Sequence, residues 1–356
     1  MRIALAHLLW PLDPARARTR DEIVVARALF ATPVRPGGRA GLCSTWAREG
    51  GEWHFRCRHA VAIAQELHRA HLFPSAKVVA KGDFLSISDP RAPEVLTEVA
   101  AAPPGVPGPF RLISASPRRL VLERNGLKLD FRRLDPEVAL RQFRAGGLDE
   151  APVPLGDIQA LLRDPSIGSD VHVHRLLAVD VVACRPGGAL DRFQKVRQVY
   201  DDTADRADYQ ALVPELEAPP AENLSPPPKG AKIARAAALA FARARKQIGS
   251  LPKVAVRFAE PADPDLAYGQ NILVAGWRDI GLGAYVGHGR PDATFERILA
   301  PYPKTSALRE AVGSRPFIPI SWVVDARLVS PRLKGWREDD LGAVDYTVVR
   351  TAQVSR

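Results

Sequence analysis

The sequence predicts an α/β protein of two domains with mixed sheets, and three observations carry the prediction. Strand-like and helix-like segments alternate along the whole chain with no internal repeat, the order from which sheets flanked by helices are built. The length, 356 residues, favours two domains with room for a smaller third, at roughly 150 residues per domain. Hydrophobic residues make up 46% and charged residues 25%, enough apolar surface to offset chain entropy, so the chain as a whole is not disordered. No stretch approaches the roughly 18 consecutive apolar residues of a membrane span.

Ile3 to Leu9 is apolar enough for a buried first strand, and Trp10-Pro11-Leu12-Asp13-Pro14 breaks it into a loop. The same N-terminal run has one charge, a His within it and no small-x-small site, so it reads as a strand and not as an export signal. Asp21 starts a helix with Ile23, Val24, Ala26 and Phe30 on its apolar stripe, ended before Pro33. Glu49-Gly50-Gly51 is a hairpin turn between Trp46 and Trp53. Lys77–Ala80 and Phe84–Ile87 form a strand pair across Gly82-Asp83, and Pro103–Pro109 is a stiff connector. Phe110–Ile113 and Arg119–Glu123 are strand-like. Asp135-Pro136 opens a helix with Pro at its first position, Gly156–Arg163 forms a shorter one, and Val171–Val182 a strand. Arg192–Ala204 is helical. Pro214–Gly230, with three consecutive prolines, resembles a linker in composition. Lys229–Ile248 is a long Ala-rich helix, Val254–Phe258 and Ile272–Ala275 are strands, Ile318–Val324 is a last strong strand, and Leu341–Val349 closes the chain.

The formal charge of +10 raises the question of nucleic acid. The basic residues are mostly single or paired with acids between them, and Arg16, Arg18 and Arg20 run straight into Asp21 and Glu22, so a solvated Arg-rich surface is the reading and no nucleic-acid partner is expected. On the Ala-rich helix, Lys232, Arg235, Arg243, Arg245 and Lys246 suit a solvated face or an acidic partner. The hairpin brings Cys43 near Cys57, leaving two readings, a disulfide in an oxidising compartment or two free buried thiols, with Cys184 left over. Cys43, His54, Cys57 and His59 lack the paired spacing of a zinc site. His172 and His174 share one strand face and suit the exposed face of an edge strand. No metal is expected. No Gly-x-Ser-x-Gly elbow, Walker loop, His-Glu-x-x-His or Rossmann fingerprint occurs, so no catalytic residue is assigned and an enzyme is not expected.

Several separated segments resemble, in order, the landmarks of one known family. Leu12-Asp13-Pro14 is similar to the family's loop after the first strand, and Ala28–Val34 to its following helix end. Leu42–Trp46 and Trp53–Arg58, Gly108-Pro109-Phe110-Arg111-Leu112, Leu122-Glu123-Arg124-Asn125 and Phe143–Asp149 resemble its next landmarks. Val196-Arg197-Gln198-Val199 with Asp205-Arg206, Gly276-Trp277, Ile318-Pro319-Ile320 and Lys334-Gly335-Trp336 complete the series. Each motif is short; by their shared order over nearly the whole chain the sequence resembles the family 5 extracellular solute-binding proteins, the peptide and nickel receptors of ABC importers. The chain departs from the family by shortening after Arg58, after Asn125 and between Ile233 and Ala275, and the sequence as given shows neither export signal nor lipid-anchor cysteine.

The resemblance implies a type II periplasmic-binding-protein fold: two lobes with mixed sheets joined by crossing strands, plus a reduced extra subdomain. Residues 1–35, 104–183 and 316–356 would form lobe I, 36–97 the small subdomain and 184–315 lobe II, with Pro214–Gly230 a surface excursion. It also implies reversible capture of a peptide or similar small solute in the cleft, presentation to ABC permease subunits, contact with the membrane only through that permease, an extracytoplasmic location and no cofactor. Trp277, Arg278, Asp279 and Tyr285 would supply an aromatic wall, a cation and an anion for the ligand, with Cys184 at the hinge. Asp279 is the nearest counterpart of the family's ammonium-holding aspartate but sits one residue early. Two other readings of these residues stand beside this one: Trp277 as a core anchor followed by a solvated pair, and Cys184 as a small buried hydrophobe. A cytosolic ligand-sensing or scaffold relative is the alternative function, and a basic nucleic-acid-binding protein the outsider.

Overall fold

The computed structural model describes residues 1–8, 10–17, 19–211, 232–261, 263–302 and 305–352; the Pro214–Gly230 excursion and Arg18 lie outside these. One mixed sheet of ten strands runs through the molecule. Its order is Gly283–Val286, Ala255–Phe258, Ala293–Leu299, Val171–Cys184, Phe317–Val329, Glu150–Pro152, Arg2–Leu5, Leu127–Arg133, Arg119–Arg124 and Arg111–Ser116. Two strands in the middle are 14 and 13 residues long, and they cross from one lobe to the other.

The pairing shows how the crossing is made. Val171–Arg175 pairs with Val324–Leu328, next to the first lobe's Glu150–Pro152. Ala178–Cys184 pairs on its other edge with Ala293–Leu299 of the second lobe. Between these halves the ladder shifts register between Arg175 and Val179, the kind of irregularity that bends a strand and raises its twist. Past the shift Val179, Val181 and Ala183 enter one core and Val182 and Cys184 the other, the two-residue period of a sheet covered on both faces. Leu176, Ala178 and Val323, beside the shift, form a small cluster of their own.

A separate four-stranded sheet, Cys43–Glu49, Glu52–Cys57, Phe84–Ile87 and Val78–Lys81, carries the helix Ala60–Arg69. The tight turn at Gly50 and Gly51 needs positive φ at both residues (56° and 89°), which glycine adopts without strain. The hairpin sets Cys43 opposite Cys57, and the two are joined by a disulfide. This unit shares a core with Val179, Val181 and Trp322 of the crossing strands.

Local signals start the helices that matter for the cleft. Thr19 and Glu22 form a reciprocal capping box for Arg20–Leu29, satisfying two donors that the helix cannot satisfy itself. Asp135 caps Pro136–Arg144, and Asp263 caps Pro264–Asp279. Two expectations need correction. The first strand stops at Leu5, short of Leu9, because the N–H groups of Ala6 and His7 turn to the Asp21 carboxylate at 2.8 and 3.0 Å. Ile272–Ala275 is not a strand but part of the helix Pro264–Asp279. There Leu273, Val274 and Trp277 are buried at one- and four-residue spacing, so the helical period and the Asp263-Pro264 start prevail over a four-residue apolar run.

The histidine pair lies on the half of the first crossing strand that pairs on one side only. His172 is exposed and rests 5.2 Å from the Trp336 ring. Among the described residues no group of three or more His, Cys, Asp or Glu side chains is placed to hold a metal, and no helix is long and apolar enough to cross a membrane.

Candidate functional site

A cleft of about 1060 Å³ opens between the lobes over the crossing strands, at the upper end of the roughly 300–1,000 Å³ usual for small-ligand sites. Its floor is Leu176, Ala178, Val323 and Val324. The first lobe contributes His7, Thr19, Arg118 and Arg133, and the second contributes Asp263, Asp265, Phe295 and Arg297. Prolines at 136, 152, 154 and 261 line the mouth; they present ring surface and no N–H, so the walls there are apolar and stiff.

On the lobe I side the cleft is lined by Arg20, Asp21, Asp325 and Arg327, which belong to a buried ionic cluster. Arg327 Nη2 donates to Asp21 Oδ1 at 2.6 Å and Nε to Asp325 Oδ2 at 3.1 Å. Arg20 donates to Glu338 Oε1 at 2.7 Å, to Glu150 Oε1 at 3.2 Å and to Asp21 Oδ1 at 3.3 Å, with Asp325 3.4 Å from its Nε. Trp336 and Tyr346 complete the Glu150 carboxylate at 2.8 and 2.7 Å. Charges removed from water persist only when paired and hydrogen-bonded, and each acid here has at least one guanidinium partner. Burial opposes ionisation of Asp21, but Arg327 and Arg20 outweigh it and hold that carboxyl below its ordinary range. Glu338 goes the other way: burial, then the neighbouring Asp325, push it up to about 8. Asp325 itself is held low by Arg327 and Arg20 against its burial, so the proton this pair shares rests on Glu338.

In lobe II, Arg297 grips the buried Asp180 with two bonds of 2.9 and 3.1 Å, and the Tyr209 hydroxyl donates to the same carboxylate. That guanidinium is committed to structure. Glu296 is likewise tied to Arg315 at 2.6 Å.

Among the described residues, an ion pair and a hydrogen bond join the lobes across the mouth. His7 Nε2 lies 3.4 Å from Asp263 Oδ2, and the Leu155 backbone N–H donates to Asp265 Oδ1 at 3.3 Å. The hydrogen bond to Asp263 raises the His7 pKa despite partial burial. Burial disfavours the Asp263 anion, but His7 overcomes this and lowers its pKa. Burial raises the Asp265 pKa. The charged groups of the lining without an ion-pair partner are Arg118, Arg133 and Asp135 on lobe I and Asp265 on lobe II; Asp135 is occupied in capping its helix through the Glu137 and Val138 N–H groups. None of these four forms an ion pair among the described residues.

None of the five residues singled out from the sequence lines this cleft. Trp277 is fully buried in lobe II, stacked 5.5 Å from Phe258, 5.0 Å from Tyr200, with Nε1 donating to the Tyr200 carbonyl at 3.0 Å. Arg278 and Asp279 are exposed at the end of its helix. Tyr285 is on the outermost strand, Gly283–Val286, where its hydroxyl accepts from Arg257 Nε at 2.9 Å. Cys184 ends the first crossing strand as a free buried thiol, and burial pushes its pKa to about 11. The aromatic reaching the cleft from lobe II is Phe295, on the strand Ala293–Leu299. Its Ala-Thr-Phe-Glu-Arg-Ile-Leu sequence offers only a weak alternation between turn signals.

No family model matches the chain, and no curated protein does. Solved structures do match in fold. The murein tripeptide binding protein MppA of Escherichia coli superposes with a TM-score of 0.82 at 15% identity, covering 99% of this chain and 98% of that one. OppA of Haemophilus influenzae in complex with the peptide RPPGFSPFR gives 0.79 at 14% identity, covering 99% of both. An unliganded open form of MppA gives 0.61 at 16% identity over 94% of each. The chain therefore has the periplasmic-binding-protein fold that the ordered motifs imply.

Proposed function

We propose that this chain is a binding receptor and not an enzyme, closing its two lobes on a short peptide or similar zwitterionic solute for delivery to an ABC permease. The observation that carries the reading is the cleft itself: about 1060 Å³ between lobes joined by two crossing strands, apolar at its floor, with Arg118 and Arg133 on one wall and Asp265 on the other forming no ion pair among the described residues, while the acid beside the arginines, Asp135, is held as a helix cap. Arg118 and Arg133 suit a ligand carboxylate, and Asp265 suits an ammonium. The other charges lining the cleft are held by the protein's own partners, so they shape the site without attracting ions of their own. The greater structural likeness to a peptide complex than to an open unliganded form supports a nearly closed arrangement of the lobes. The Cys43–Cys57 disulfide suits an oxidising, extracytoplasmic location.

Mass spectrometry of small molecules released from the purified protein tests this, followed by calorimetry with the peptides found. A tripeptide should bind with measurable heat, and blocking either terminus should weaken it about tenfold, about 1.4 kcal/mol. Absence of heat across a peptide library would favour a ligand-free scaffold instead.

A further inference from the structure

A second cavity, of about 840 Å³, lies behind lobe I, where the end of the helix Arg20–Leu29, the connector around Gly108 and the C-terminal segment meet the small subdomain. We propose that it is a second ligand site, for a small anionic amphiphile: a carboxylate or comparable anion on a compact apolar body.

The chemistry of the lining points to that class. Phe30, Phe110 and Tyr346 give it aromatic surface. Five arginines line it against three acids. Two of those arginines are already spent, Arg27 on Asp339 and Arg39 on Asp345 at 3.4 Å. Glu338 is turned to Arg20 and holds its proton against Asp325, so it adds no net negative charge near neutrality. Arg35, Arg58 and Arg337 are exposed and form no ion pair among the described residues. Arg27, although tied to Asp339 through Nη1, keeps a buried Nε–H with no acceptor. A buried donor left unmade costs about 1–3 kcal/mol, and an anionic oxygen would satisfy it.

The helix Ala60–Arg69 adds to the same potential. It begins at His59, which lines the cavity beside Arg58, and has no side-chain cap and no acidic residue in its first turn. Its first N–H groups are therefore unmatched by side chains and place partial positive charge at that wall. Three guanidiniums without an ion pair, an orphaned donor and an uncapped helix start favour an anion, the aromatic walls suit its apolar body, and the excess of positive charge opposes the cation that aromatic faces alone would attract.

The test is calorimetry on the full chain with decanoate and with decyltrimethylammonium, both below their micellar concentrations. Decanoate should bind at one site, and the cationic amphiphile should give no saturable heat. The double variant Arg58→Glu/Arg337→Glu should weaken decanoate at least tenfold. Both side chains are exposed and unpaired, so circular dichroism should show it folded; the single variant Arg337→Ala, expected to weaken binding several-fold, serves should the double variant unfold. Arg133→Glu, in the interlobe cleft, should leave decanoate binding unchanged. Equal binding of the two amphiphiles, undiminished binding in the cavity variants, or loss only in Arg133→Glu would overturn the proposal. It stands apart from the peptide reading, since failure of either leaves the other intact.

Discussion

At Asp21 four donors converge on one carboxylate: the N–H groups of Ala6 and His7 and the guanidiniums of Arg327 and Arg20. The side chain thus ends the first strand, anchors the loop that borders the cleft and neutralises a buried cation. Asp21→Asn keeps the shape but leaves Arg327 and Arg20 short of charge. Breaking a buried pair from one side costs about 3–5 kcal/mol, and urea unfolding should show a loss of that order with the slope unchanged. Glu338 predicts a pH dependence. Its folded pKa of about 8 lies above its ordinary 4.5, so between those values the folded chain binds more protons than the unfolded one. Its contribution is complete below about 4.5 and disappears as pH rises through about 8. Glu338→Gln retains an acceptor for Arg20 and supplies a permanent N–H for Asp325. The variant should flatten the fall in stability between pH 6 and pH 8.5, and unfolding midpoints at those two values check this; an unaltered slope would remove Glu338 as its source.

Among the elements, the helix Pro264–Asp279 links local structure to lobe closure, because its cap residue Asp263 also faces His7 across the cleft. Asparagine caps a helix about as well as aspartate, so Asp263→Asn removes the ion pair while keeping the cap. The pair needs a protonated His7 and an ionised Asp263. It is complete below the ordinary His value of 6.5, is lost as pH rises through the raised His7 pKa, and at the acid end fails as pH falls through the lowered pKa of Asp263. An NMR titration should find His7 above 6.5 in the native chain and lower in Asp263→Asn. The small subdomain supports another expectation. The Cys43–Cys57 link spans 14 residues, and a closed loop of that size is worth about 3 kcal/mol by restricting the unfolded chain. Replacing both cysteines by serine should cost about that much, read as a lower thermal midpoint. Elements of this kind were legible in the sequence because their signals are local: Gly50-Gly51 for the hairpin, Asp135-Pro136 for a helix start, the long apolar run before Cys184 for a crossing strand. Ile272–Ala275 misled for the same reason. Four apolar residues fit either period, and only the Asp263-Pro264 start eight residues upstream decides between them.

Over the whole molecule, the order of short motifs predicted the fold, while the residues of the cleft stayed out of reach. Arg20 meets Glu338 across 318 positions and Arg327 meets Asp21 across 306; no local pattern announces such pairings. Trp277 drew attention as an aromatic beside two charges, yet its indole N–H found a carbonyl inside lobe II and the ring went into the core. Among the described residues, the polar contacts that bridge the mouth are one ion pair and one backbone hydrogen bond. A partly exposed pair of this kind is worth at most about 1 kcal/mol. A ligand that touches both lobes favours their closed arrangement by its differential affinity for that state. Small-angle scattering should record a smaller radius of gyration once a bound peptide saturates the cleft. Asp263→Asn should enlarge the free protein and leave the saturated one unchanged, because ligand contacts to both walls then outweigh the missing pair. A radius indifferent to both ligand and substitution would mean that the lobes are fixed, and the crossing strands would then be a rigid spine with no hinge.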